Sequence, residues 1–333
     1  MRKTGVSKKT GIFLIVAIAI IGCSILVFHH NPFANPAEEW IKKIIACLIV
    51  AVGVLVFIWK YDTITTLPVE LYQNRRLIWK LSKNDFKTRY AGSYLGIVWA
   101  FVQPVVTILM YWLVFGFFMG ANKAQILGAG LDVPYVIYLT AGMIPWFYFS
   151  EALTNGTTAL LEYNYLVKKV VFKISILPII KIVAATFIHL FFVCFMLLLA
   201  ALAYGHYPDI YTIQLVYYSF CLFVLVLGIS YATCSIVIFF RDLTQIISIL
   251  LQVGMWGTPI LWQLNAVPEK FQIIFKLNPV FYIVNGYRSA LFEKTWFFED
   301  FYSTMYFWIV TIFMFGIGAL IFKRLKVHFA DVL

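Results

Sequence analysis

Long apolar runs, interrupted only by short basic or proline-containing segments, constrain this chain more than any other feature. Stretches with the length and freedom from charge of membrane spans run roughly over 11–28, 44–60, 92–119, 133–154, 175–203, 211–240, 243–262 and 303–322. About 20 apolar residues in a helix cross about 30 Å of hydrocarbon, so these eight runs are read as spans. With 62% of its residues hydrophobic and 12% charged, the chain has too little polar surface to cover a water-soluble globule. The fold class is all-α and polytopic.

The net charge of +11 would point to nucleic acid in a soluble domain. Here the basic residues gather in short segments between apolar runs, as the positive-inside rule expects of cytoplasmic loops, so no nucleic acid partner is expected. With the N-terminus inside, eight crossings put Arg2, Lys3, Lys8, Lys9, Lys60, the cluster from Arg75 to Arg89, Lys168, Lys169, Lys173, Lys181, Arg241 and the tail Lys323, Arg324 and Lys326 on the cytoplasmic side. Lys42, Lys43, Lys123, Lys270, Lys276, Arg288 and Lys294 are left outside. A ninth crossing through 271–292 would reverse the tail against the rule. That stretch also holds Asn278-Pro279, where proline cannot donate a helix bond and disfavours helix in the residue before it. Two short half-helices dipping into the outer face, over about 268–292, are expected instead. Both termini are then cytoplasmic.

The first run follows Arg2, Lys3, Lys8 and Lys9 but is longer than a usual secretory core and lacks a clean cleavage site, so it reads as a retained signal-anchor helix. Residues 1–62 form two N-terminal spans that look like an appendage. A cytoplasmic amphipathic helix and elbow occupy 63–91, with the surface helix drawn from Val69 to Lys83. A transmembrane domain covers 92–325 and a cytoplasmic tail 326–333. In the elbow, Arg89, Tyr90, Trp99, Gln103 and Pro104 lead from a basic surface into lipid. One at a time they are ordinary interfacial anchors.

Several chemistries are missing. No G-x-x-x-x-G-K-[ST] phosphate loop occurs, and no soluble segment is long enough for a nucleotide-binding domain. The acidic pairs Glu38-Glu39 and Glu299-Asp300 are adjacent flanks of spans, not separated catalytic carboxylates. A membrane glycosyltransferase or polymerase, the alternative of another class, would need an outer acid pair or a large catalytic domain. The cysteines Cys23, Cys47, Cys194, Cys221 and Cys234 lie within apolar runs without CxxC spacing, so neither metal nor disulfide is expected. Energy for uphill transport would come from another subunit, and no catalytic residue is assigned.

The order of motifs resembles the permease subunits of ABC-2 type transporters, in particular the polysaccharide, O-antigen and teichoic acid export branch. After the elbow come Val133-Pro134-Tyr135, Gly142-Met143-Ile144-Pro145-Trp146 and Asn164-Tyr165-Leu166-Val167-Lys168-Lys169 with Phe172 and Ile176-Leu177-Pro178. Phe240-Arg241-Asp242, Thr258-Pro259-Ile260 and Asn278-Pro279 through Arg288 follow, and the resemblance spans about 69–325. Lys173 departs from it, standing where the family usually has proline, and the spans before Phe57 have no counterpart.

The resemblance implies a six-span core of the type V-like exporter kind, working as two copies with two ABC ATPase subunits below. ATP and Mg would be bound by the partner and none by this chain. A coupling helix at about 156–173, with Glu162, Lys168, Lys169 and Lys173 facing water, would meet the ATPase, and Arg75 and Arg76 would make a second contact. The cargo implied is a lipid-linked glycan crossing a bacterial plasma membrane; an ABC-2 exporter of a drug or small lipid is the nearest alternative. Sugar rings stack on aromatics, so Tyr111, Trp112, Trp146, Tyr148 and Trp256 are candidate pathway residues. Glu151, Asn278 and Arg288 join them, the two charges because they are costly in apolar surroundings.

Overall fold

The computed structural model describes residues 8–28, 36–59, 61–89, 91–92, 94–120, 123–125, 132–167 and 173–332. The chain divides into two compact units, residues 1–73 and 74–333. The first holds α1 (Lys8–Phe28), α2 (Pro36–Trp59) and α3 (Tyr61–Gln73). α1 packs along α2, and Lys8 Nζ reaches Asp62 at 2.8 Å. Both side chains of that pair are more than half exposed, so it contributes at most about 1 kcal/mol.

The second unit begins one residue after α3 with α4 (Arg75–Arg89). The surface helix expected to run unbroken from Val69 to Lys83 is therefore two helices with a turn at Asn74, and residues 63–73 group with the N-terminal unit. A 3-10 turn (Gly96–Val98) leads into α5 (Trp99–Tyr111), which continues as π-helix to Phe118. A two-stranded antiparallel pair, β1 (Lys123–Gln125) and β2 (Asp132–Pro134), adds a small exception to the all-helical expectation. Then come α6 (Tyr135–Glu162), α7 (Asn164–Val167), α8 (Leu177–Tyr204), α9 (Gln214–Ile236) and α10 (Leu243–Gly257). α11 (Glu269–Lys276), α12 (Pro279–Arg288), α13 (Phe301–Leu325) and α14 (Phe329–Val332) complete the chain.

Local chemistry sets several of these ends. Gly205 closes α8 at φ 69°, a left-handed conformation that glycine adopts without a Cβ penalty. Asn278 caps α12 by accepting the Val280 N–H at 3.0 Å, with Pro279 in the first turn where no N–H is needed. The break expected at Asn278-Pro279 thus divides α11 from α12.

Among the described residues, Gly96–Phe118, Ile174–Tyr204, Ile210–Ile236 and Phe301–His328 are long and apolar enough to cross a membrane. α6, with 28 residues, has the length but carries Glu151 and several hydroxyls. The stretch expected as a span over 243–262 is helical only to Gly257. Its 15 residues rise about 22 Å, short of the hydrocarbon thickness.

The core lies where α6, α8, α9 and α13 meet, around the fully buried Tyr231, Phe307, Met143 and Ile176. α9 and α13 come into backbone contact at Gly228 and Gly318. A Cβ on Gly228 would sit 2.8 Å from Phe315 Cα, and one on Gly318 would land on the Gly228 carbonyl oxygen. Backbone is the obstacle on both sides, so no rotamer change relieves it. Gly318→Ala is expected to lose about 2 kcal/mol. Gly316→Ala, with nothing within 4 Å, should change stability by no more than about 0.5 kcal/mol, and thermal unfolding of both variants in detergent checks the contrast.

Candidate functional site at the charged end of the bundle

α4 has one face that repeats at helical spacing: Ile78, Ser82, Asp85 and Arg89. Ile78, Ser82 and Asp85 are buried, and Trp79 and Phe86 each meet the edge of Phe187 on α8, at 5.3 and 5.7 Å between centroids. The aromatic contacts seat α4 on the bundle and bring Asp85 among charges from two other helices.

Asp85, 7% exposed, is the hub. One oxygen accepts from Lys181 Nζ on α8 at 2.7 Å and from the Tyr163 hydroxyl just past α6, and the other from Arg89 at 3.3 Å. Lys181 also reaches Glu162 at 2.7 Å and lies 4.8 Å from the centre of the Tyr163 ring. Arg89 turns its other nitrogen to Glu151 of α6 at 2.6 Å. Three carboxylates and two cations are thus held together, and the acidic side chains nearly match the basic ones. Asp85 and Lys181 are buried, and charges so placed are tolerated only when paired and hydrogen-bonded, as both are; Arg89, Glu151 and Glu162 remain partly exposed. The arrangement ties a surface helix to two long helices, α6 and α8.

The sequence-derived residues are distributed unevenly over this picture. Arg89 and Glu151, chosen for separate reasons, form one ion pair, and Glu162 joins the same network. Glu162 is half-exposed; of the coupling segment expected at 156–173, Asn164–Val167 is the short α7, 168–172 lies outside the described residues, and the part from Gly156 to Glu162 is not a separate helix. It is the last turns of α6, with Gly156, Thr157, Ala159 and Leu160 buried against α8 and α9. Thr157 meets Thr233 at 2.8 Å, and a Cβ on Gly156 would strike Ser230. Lys173, Arg75 and Arg76 are exposed. Tyr90, Lys168 and Lys169 lie outside the described residues. Trp99 and Gln103 are exposed on α5, and Pro104 is half-buried within it.

Of the proposed pathway residues, Trp112 and Trp256 are exposed and Tyr111 lies 4.0 Å from Met255 Sδ. Trp146, Tyr148 and Arg288 are instead buried inside the chain's own fold, because each has found partners there. Trp146 packs on Phe149 and fills the space beside Gly254. Tyr148 bonds Thr186 at 2.8 Å and stacks on His189, whose Nε2 meets Ser219 and Tyr287, each at 3.0 Å. Arg288 donates to the carbonyls of Pro259 and Ile260, and Asn278 Nδ2 donates to Thr258 Oγ1 at 2.8 Å.

Sequence reasoning missed Asp85 and Tyr163 as site members and took Lys181 only as one inner positive charge. A signal for Lys181 was present: it is a lone cation one turn into a 28-residue apolar helix, which demands a partner. Asp85 had only its i,i+4 relation to Arg89.

An amphipathic helix bonded by charge to a bundle of long apolar helices fits a membrane protein. The chain belongs to the ABC-2 type transporter family, whose model matches residues 76–292, more than half of its length. It is similar to the O-antigen export system permease protein RfbA of Klebsiella pneumoniae, 28% identical over 258 residues, covering 76% of this chain and 93% of the relative. The protein of the same name from Myxococcus xanthus is 27% identical over 226 residues, 67% of this chain and 83% of the relative. The polysialic acid transport protein KpsM of Escherichia coli is 25% identical over 62% of this chain and 78% of its own.

Neutralising Asp85 weakens the buried acceptor that Lys181, Arg89 and Tyr163 share, and leaves Lys181 with the half-exposed Glu162 and Arg89 with Glu151 as their charged partners. Asp85→Asn is expected to cost about 3 kcal/mol in detergent unfolding. The exchanged pair Asp85→Lys with Lys181→Asp should recover part of that loss, which separate packing effects would not produce.

Proposed function

We propose that this chain is the transmembrane permease subunit of an ATP-driven exporter. It moves a lipid-linked polysaccharide of the O-antigen, capsule or teichoic acid type across the bacterial plasma membrane, away from the cytoplasm. The observation that carries the reading is the family match over residues 76–292, joined to relatives named for O-antigen export and polysialic acid transport over most of their lengths. The chain itself contains no phosphate loop, which fits a permease that leaves ATP and Mg to a separate subunit.

In this reading two copies flank the pathway and each meets one ABC ATPase. Both termini, α4 and the Glu162 end of α6 face the cytoplasm, in keeping with the basic residues there. The exposed basic start of α4, at Arg75 and Arg76, and the loop with Lys168 and Lys169 are the surfaces offered to the ATPase. The Asp85 network then carries the motion inward. An ATPase that displaces α4 displaces α6 and α8 as one body, since their charges are shared.

Deleting the gene in its source bacterium should remove the surface glycan while lipid-linked polymer accumulates inside. Unchanged surface glycan would overturn the reading. Reversing charge at Lys168 and Lys169 should leave the chain in the membrane but lower its capture of the ATPase and abolish export. Intact capture and coupling in K168E/K169E would remove that loop from the interface.

A further inference from the structure

The main chain between α10 and the following 3-10 turn is irregular over residues 258–262, yet its carbonyls are all engaged. Thr258 O accepts from Ile260 N at 2.6 Å. Pro259 O and Ile260 O accept from the two terminal nitrogens of Arg288, at 2.7 and 3.0 Å. Leu261 O accepts from the Tyr135 hydroxyl at 2.9 Å, and Trp262 O from the Tyr138 hydroxyl at 3.2 Å. Four of these five acceptors are thus covered by side chains of α6 and α12. Asn278 adds a bond to the Thr258 hydroxyl.

Arg288 is 3% exposed, and among the described residues no carboxylate lies within ion-pair distance of it. Its guanidinium sits 3.5 Å over the Tyr138 ring, so its charge meets a ring face and two carbonyl dipoles. Room for it is made by Gly142, where a Cβ would stand 2.9 Å from Nη2. Pro259 starts the break in α10, because it has no N–H to continue a helix. Proline cannot cover the carbonyls that the break exposes. In a membrane that task falls to other side chains.

We infer that Arg288 is a positioning residue for export: with Tyr135 and Tyr138 it clamps the main chain of 258–262, and so fixes how α10 ends and where Trp256 stands on its exposed face. The indole of Trp262, inside the clamped segment, donates to the Trp256 carbonyl at 3.0 Å, which links the clamp to that face. Arg288 does not contact cargo, since both terminal nitrogens are committed to main chain. This inference rests on the exporter reading for its consequence in transport and on geometry alone for the clamp.

The test uses the full chain with its ATPase, its five cysteines replaced and Gln263→Cys added as a reporter. A water-soluble maleimide reports how tightly the segment is held, and glycan export is measured in the same cells. Arg288→Met should raise the labelling rate about five-fold and lower export about ten-fold, because bare carbonyls draw in water. Arg288→Lys, with one ammonium for two carbonyls, should be intermediate in both. Gly142→Ala keeps the arginine but displaces its guanidinium, and should move both readouts in the same direction. If Arg288→Met fails to reach the membrane, the other two variants carry the test. Lost export with parental labelling would overturn the inference in favour of direct cargo contact. Raised labelling with parental export, or no change in either, would also overturn it. If the parent exports no glycan while the labelling pattern changes as stated, the clamp stands and the exporter reading fails.

Discussion

Where no water is available, a polar group must find its partner within the protein, and that requirement shapes this molecule more than apolar packing does. Apolar side chains are abundant enough to fill any of several helix arrangements. The few charged and hydroxyl-bearing ones are not interchangeable, because each has a small set of donors and acceptors within reach. Asp85 must lie where Lys181, Arg89 and Tyr163 converge, and that fixes α4 against α6 and α8. His189, Ser219 and Tyr287 likewise fix α12 against α8 and α9. The bundle is held in register by its minority residues.

This division of labour gives the two ends of α6 different characters. The Glu162 end carries full charges in pairs, partly open to solvent, that join α4 to α6 and α8. The Tyr135 end uses hydroxyls and one guanidinium on backbone carbonyls, with no carboxylate paired to that guanidinium among the described residues. About 40 Å separates these ends along a 28-residue helix. A helix braced in this way transmits displacement along its length, and the close glycine contact of α9 with α13 supplies the rigid support beside it.

What the sequence made legible follows from how local each signal is. The class, the amphipathic helix and the break at Asn278-Pro279 rest on hydropathy, helical spacing and proline stereochemistry, all contained in a few neighbouring residues. Gly205 ending α8 is of the same kind. The early end of α10 at Gly257 had a local signal in Pro259, but the hold on the segment after it was not legible, because it comes from residues more than a hundred positions earlier and some thirty later. Glu151 and Arg89 each stood out as costly charges, yet nothing in a linear string pairs positions 62 apart. Asp85 was hidden in a cytoplasmic-looking helix, where an acidic residue is unremarkable until the fold buries it. The turn at Asn74 escaped because the helical pattern continues on both sides of it.

The clamp on residues 258–262 grips main chain, which every amino acid supplies alike. The held positions therefore keep their geometry through many changes of side chain, apart from Pro259, which starts the break. The burden of identity moves to the holders: phenylalanine at Tyr135 or lysine at Arg288 removes a donor that nothing nearby replaces. Sequence drift in this part of the molecule should be lopsided, with the irregular segment free to vary and the regular helices around it chemically fixed.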